Sequence, residues 1–199
     1  NKINKKTEKT LIANVLNEIN EFDLVMISNF GHGLISKHIY EKIREKSKFI
    51  ALNVQTNSSN FGFNLINKYL DADFICLDEL EARLALSNKI DNIDDVALAL
   101  IEKLNCNKLM ITRGKHGINY YTDCGLIKNH SPALAKKVID PVGAGDAVFA
   151  GSALAAHDEV DPNITLLIGS IMGMLATQIV GNEAHIELHE LKQSILGMR

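Results

Sequence analysis

Apolar residues along this chain alternate between two rhythms. Leu11, Ile12, Val15, Leu16 and Ile19 recur at helical spacing and predict a helix over residues 7–20. The uninterrupted run Leu24-Val-Met-Ile27 predicts a strand within residues 23–28, buried on both faces. The alternation continues with a helix over 36–46, a strand at 49–52, a helix over 62–69, a strand at 73–76 and a helix over 79–86. An amphipathic helix follows over 93–104, with Asp94 and Asp95 suited to its first turn, and then a buried strand at 109–112. Beyond this point the rhythm changes. Residues 117–121 and 125–128 flank Thr122-Asp-Cys-Gly125 and predict a hairpin, and three helices follow at about 144–157, 163–180 and 187–196. Short links between β and α units predict an α/β fold with a mostly parallel sheet covered on both faces. No repeat, low-complexity tract or linker interrupts it, so residues 1–199 read as one unit.

Composition narrows the class. The 199 residues are 46% hydrophobic and 23% charged, as in a soluble globular protein, and the net charge of −3 gives no basis for a nucleic-acid partner. Cys76, Cys106 and Cys124 are odd in number and lack a Cys-x-x-Cys pair, which suits reduced thiols in the cytoplasm. The polar first ten residues are unlike a signal peptide. Residues 162–182 carry no charge, but Asn163, Thr165, Ser170, Thr177 and Gln178 interrupt the run, so a buried helix is expected and not a membrane span. Gly169 and Gly173, four apart, mark a face for close helix packing. His185 and His189 are also four apart but lack a third ligand, so surface or capping roles are expected.

The chemistry concentrates at Asp140-Pro-Val-Gly-Ala-Gly-Asp146, directly before the apolar run 147–156. Glycines let backbone N–H groups approach a ligand, and the helix that begins there points its free N–H groups and positive dipole end at the same place. Gly143, Ala144 and Gly145 thus form an anion hole with Asp146 at its rim. A carboxylate beside bound phosphate costs electrostatic energy, and accepting a proton from an attacking hydroxyl would account for it. The alternative is a plain helix-entry turn with Asp146 as cap.

This segment resembles the second signature of the PfkB/ribokinase family of carbohydrate kinases, with Pro141 where Thr is usual. The resemblance implies a ribokinase-like three-layer α/β/α fold whose amino-terminal part and lid are absent here, making the chain the carboxy-terminal nucleotide-binding and catalytic portion of a kinase domain. It implies phosphoryl transfer from ATP to a sugar or sugar-phosphate hydroxyl, with Asp146 as general base. Leu77-Asp-Glu-Leu-Glu81 resembles the family's Asn-x-x-Glu motif, placing Asp78 at the ATP and Glu81 on Mg²⁺ through water. Thr112-Arg-Gly-Lys-His-Gly117 resembles its Thr-x-Gly-x-x-Gly turn, which assigns Thr112, Gly114 and Gly117 to ATP, with Arg113 or Lys115 as an added cation. Ser170 stands where an Asn near adenine is frequent. Asp140, with the loop 181–184, is a candidate K⁺ site. Ser28-Asn-Phe-Gly-His-Gly33 resembles a segment of bacterial heptose-phosphate kinases, and Asn53 opens the amide-rich run 53–60; Asn29 and Asn53 are the substrate-side candidates. A homodimer is a candidate assembly. Two alternatives keep the fold: a silent nucleotide- or sugar-binding module, and a kinase for a vitamin precursor.

Overall fold

The structure is a computed structural model that describes residues 3–181 and 183–197. Helix α1 (Lys5–Glu18) starts at Asn4, whose side chain accepts from the Thr7 N–H, and leads into strand β1 (Leu24–Asn29). Then come α2 (Lys37–Arg44), capped by Ser36, β2 (Phe49–Val54), β3 (Phe74–Asp78), α3 (Glu79–Leu86) and α4 (Ile93–Leu104). Strands β4 (Lys108–Thr112), β5 (Ile118–Thr122) and β6 (Ile127–Ser131) complete the sheet, followed by α5 (Ala144–His157), α6 (Pro162–Ala176) and α7 (Leu188–Gly197).

Among the described residues the six strands lie side by side in chain order. Strands β1 to β4 are parallel, whereas β4–β5 and β5–β6 are antiparallel. The parallel strands are joined by helical or irregular crossovers. Successive side chains leave the sheet on opposite faces and meet two separate cores. Ile50, Leu52, Ile75, Leu77, Leu109 and Ile111 pack under α1–α4. Ala51, Phe74, Cys76, Met110 and Tyr120 pack under α5 and α6, against Val148, Phe149, Ala153 and Leu166. Two faces covered by helices make the three-layer α/β/α architecture expected from the sequence. Each fully buried aliphatic or aromatic side chain contributes about 1.5–3 kcal/mol.

The helix expected over residues 62–69 does not form. Gly62 has φ 76°, Leu65 is extended, and only a 3₁₀ turn, Ile66–Lys68, is helical. Asparagines compete with helix formation by bonding backbone groups elsewhere. Asn57 and Asn60 donate to the Phe30 carbonyl at 3.0 and 2.9 Å, and Asn64 donates to the Asn29 and Gln55 carbonyls. The segment is thereby stitched to the end of β1. Strands β2 and β3 also run further than expected, to Val54 and Asp78, which puts Asn53 and Asp78 at strand ends.

No described helix is long and apolar enough to cross a membrane. Helix α6 instead lies against α5, as the glycine face suggested. A Cβ at Gly169 would meet the Ser152 hydroxyl and the Val148 side chain, and one at Gly173 would lie 2.8 Å from Val148 Cγ2. Gly169→Val should therefore lower stability by about 1–3 kcal/mol through overpacking, read as a lower urea midpoint at unchanged slope. A variant as stable as the parent would show that α6 can back away from α5 at no cost.

Candidate active site

The parallel strands all end at one edge of the sheet, where doubly wound folds bind ligands. Asp78 and Thr112 are paired in register at the ends of β3 and β4, as are Ser28 and Asn53 in β1 and β2. A cleft of about 190 Å³ opens at this edge. Its lining includes Asn53, Thr56, Asp78, Glu81, Thr112 and, from the start of α5, Gly143, Gly145 and Asp146. The structure thus gathers most of the candidate residues from four distant stretches of chain.

Helix α5 is entered through Gly143, whose φ of 81° is a left-handed conformation that favours glycine. No side chain caps this helix. Within the described residues no acceptor engages the backbone N–H of Gly145 or Asp146. A Cβ added at Gly145 would meet no protein atom within 4 Å. Glycine in a helix costs about 1 kcal/mol relative to alanine, and no packing contact at Gly145 calls for it. The arrangement is an open cradle with unused donors at the positive end of a fourteen-residue helix, suited to an anion.

Three carboxylates border the cradle and each is held differently. Asp146 Oδ1 accepts from the Gln55 amide at 2.7 Å and from the Ser28 hydroxyl at 3.3 Å. Asp78 caps α3 by accepting from the Glu81 N–H at 2.6 Å, while Glu81 reaches back to the Asp78 N–H at 2.9 Å, forming a capping box. The other Glu81 oxygen accepts from the Thr56 N–H at 2.8 Å. Burial pushes the Glu81 carboxyl up to about 7, with the Asp78 charge adding to the shift. Asp140 lies outside this lining. Its carboxylate accepts from the N–H groups of Val142 and Gly181, at 2.9 and 2.8 Å, and these bonds hold it below the usual carboxylate range. It thereby ties the entry loop to the loop after α6, of which residue 182 lies outside the described residues.

Other candidates stand further off. Gly114 is exposed at the turn after β4, and Gly117 has φ 82° with the Ser131 carbonyl and Pro132 so close that a Cβ would collide with them. Arg113 is turned to an ion pair with Glu79 at 2.8 Å. Ser170 is buried in α6, its hydroxyl without a partner among the described residues, and it does not line the cleft. Asn29 is buried, donating to the Tyr69 hydroxyl at 2.6 Å and accepting from the Gly31 N–H at 2.9 Å. The Asn53 amide donates to the Cys76 carbonyl at 2.9 Å, and its own oxygen has no partner among the described residues. Gln55 and Thr56 were not singled out as individual residues, and Ser28 only opened a motif. Their signal was position, directly at or after a buried parallel strand. His185 pairs with Glu187 on the surface, and among the described residues no cluster of three His, Cys, Asp or Glu could hold a metal ion.

Comparison with known proteins gives this edge a family context. Residues 1–187 match the model of the pfkB family carbohydrate kinases. The chain is 24% identical over 192 residues to the bifunctional protein HldE of Rhodopseudomonas palustris (strain HaA2), covering 95% of this chain and 38% of that protein. It therefore spans less than half the length of this relative. Phosphofructokinase-2 of Escherichia coli, solved in complex with potassium, superimposes with a TM-score of 0.79 at 12% identity, over 99% of this chain and 63% of that one. Arabidopsis thaliana ribokinase, solved with ribose and ATP, gives 0.67 at 16% identity, over 84% and 54%. These likenesses show a ribokinase-like fold.

The raised Glu81 carboxyl has a consequence for stability. In the unfolded chain it ionises near 4.5, whereas in the fold it ionises near 7. The fold thus retains a proton that the unfolded chain releases between these values. Stability from this group is unimpaired below about pH 4.5, falls as pH rises through 7, and stays reduced above. Glu81→Gln is neutral throughout and can still serve a capping box. Its melting temperature relative to the parent should therefore rise between pH 5 and pH 8. A difference that stayed constant over that window would contradict the assignment.

Proposed function

The chain belongs to the pfkB family of carbohydrate kinases, and we propose that it forms the nucleotide-binding, catalytic carboxy-terminal portion of such a kinase, transferring the γ-phosphoryl group of ATP to a sugar or sugar-phosphate hydroxyl. The observation that carries this reading is Asp146 at the rim of the open N–H cradle, in one cleft with Thr112, Asp78 and Glu81. An acceptor hydroxyl gives its proton to the Asp146 carboxylate as its oxygen bonds to the γ-phosphorus, and the bond to the ADP oxygen breaks. The backbone at Gly143, Ala144 and Gly145, with the α5 dipole, faces the charge on the transferred oxygens. Thr112 and Asp78 flank the phosphates, and the turn holding Gly114 and Gly117 runs along the nucleoside, with Ser170 on the adenine side.

The carboxylates suit Mg²⁺ held mostly by phosphates and water. Both Glu81 oxygens already accept backbone N–H bonds, so Glu81 would orient a coordinated water instead of ligating directly, as a reluctantly dehydrated cation prefers. Bound there, Mg²⁺ would neutralise phosphate charge. Asp140, with the loop carbonyls near 181, is the candidate for K⁺. Asn29 and Asn53 belong to the acceptor side, and the segment from Ser28 to Gly33 favours a heptose phosphate as acceptor. A cytoplasmic location and a homodimer accompany this reading.

The test uses the full-length polypeptide with ATP, Mg²⁺ and three acceptors: ribose, fructose 6-phosphate and a heptose phosphate. ADP release should depend on at least one of them. Asp146→Asn keeps the shape and removes the base, so kcat should fall about 10²–10⁴-fold with KM for ATP little changed, because backbone donors hold the phosphates. Near-full turnover by Asp146→Asn would make Asp146 a helix-entry residue and remove the mechanism.

The isolated 199-residue chain should bind nucleotide weakly and phosphorylate none of the three, since it spans only 63% of the phosphofructokinase-2 chain on which it superimposes. Sugar-dependent ADP release by this chain alone, followed by coupled assay, would contradict that division of labour.

A further inference from the structure

We propose that Gln55 is a positioning residue for the general base: it anchors one oxygen of Asp146 and leaves the other to receive the acceptor's proton. The inference rests on the kinase reading above. Within the described residues all the hydrogen bonds to the Asp146 carboxylate fall on Oδ1, from Gln55 Nε2 at 2.7 Å and Ser28 Oγ at 3.3 Å. Oδ2 has none. A carboxylate on a single short side chain can rotate, and an anchored Oδ1 fixes where Oδ2 points.

Gln55 is itself built in. It follows the last residue of β2, and its backbone N–H donates to the Asn29 carbonyl at 2.9 Å. Its carbonyl accepts from Asn64 Nδ2 at 2.9 Å, and buried Asn64 bonds the Asn29 carbonyl as well. The next residue, Thr56, is pinned by its N–H to Glu81. The backbone around Gln55 is thus clamped to β1, to Asn64 and to α3, and only the side chain reaches Asp146, 91 residues away in sequence. The donor is also neutral. It aims the carboxylate without placing a cation that would oppose proton uptake.

The experiment compares the full-length kinase with Gln55→Leu, which removes the donor, and Gln55→Glu, which keeps the shape and replaces the donor by an acceptor. The acceptors are ribose, fructose 6-phosphate and a heptose phosphate, with thermal melting as the check on folding. A misaimed base should lower kcat roughly 10- to 100-fold, while the Kd for ATP, measured by calorimetry, stays within about twofold. In an Asp146→Asn background Gln55→Leu should change kcat by less than about twofold, because the base that Gln55 aims is gone and the effects are not additive. A residue that merely supports the loop would lower both backgrounds alike. Turnover within about twofold of the parent for both substitutions, or an equal fall in the Asp146→Asn background, overturns the positioning role while leaving the kinase reading intact. A parent inert toward all three acceptors overturns the reading itself, and this inference with it.

Discussion

Everything at the working edge follows from the burial of β2, β3 and β4 on both faces. Ala51, Phe74, Cys76 and Met110 face one helical layer, and Ile50, Leu52, Ile75 and Leu109 face the other. A strand closed in this way can carry polar groups only where it leaves the sheet. Asn53, Asp78 and Thr112 sit at such exits, and parallel pairing aligns them along a single edge. The chain leaving β6 then lays α5 against one face of the sheet, with its uncapped start at the same edge. No separate device is needed to assemble the cleft, because sheet topology and exclusion of polar groups from the core already do so.

That edge concentrates negative charge next to a cradle built for an anion, and the fold handles each carboxylate in its own way. Asp78 and Glu81 satisfy each other's backbone in a capping box, and burial moves Glu81 toward neutrality near pH 7. Asp140 is stabilised as a charge by two backbone donors and braces the loops around α5. Asp146 receives neutral donors on one oxygen alone. Of these four acids, Glu81 and Asp140 are committed to structure through both oxygens. Among the described residues Asp146 keeps Oδ2 without a hydrogen-bond partner at the rim of the cradle, which suits proton transfer better than ion pairing.

Much of this was legible in the residues. Continuous apolar runs identified the buried strands, because burial on both faces removes alternation, and the spacing of Gly169 and Gly173 foretold close packing of α6 against another helix, which is α5. The 140–146 segment was legible for a different reason: an unusual glycine pattern before an apolar helix has few uses. What failed was the stretch from Gly62 to Tyr69. Its apolar residues mimic a helical stripe, but asparagine side chains bonded to carbonyls of β1 and its exit hold the backbone in another path. Such long-range side-chain bonds leave no periodic trace.

The same asparagine bonds explain why Gln55 was invisible as an individual residue. An exposed-looking glutamine after a strand has no distinguishing chemistry of its own. Its significance comes from a backbone locked on three sides and from a carboxylate that arrives 91 residues later. The misread loop and the unnoticed glutamine therefore have one cause. One of the amides that displace the helix over 62–69, that of Asn64, also holds the residue 55 backbone in place, so the departure from local propensity lies beside the proposed chemistry. Local preference yields where the surrounding structure over-determines a conformation, and such sites cluster around function. In this chain the asparagine-rich loop gives up helical hydrogen bonds and gains a fixed donor aimed at Asp146.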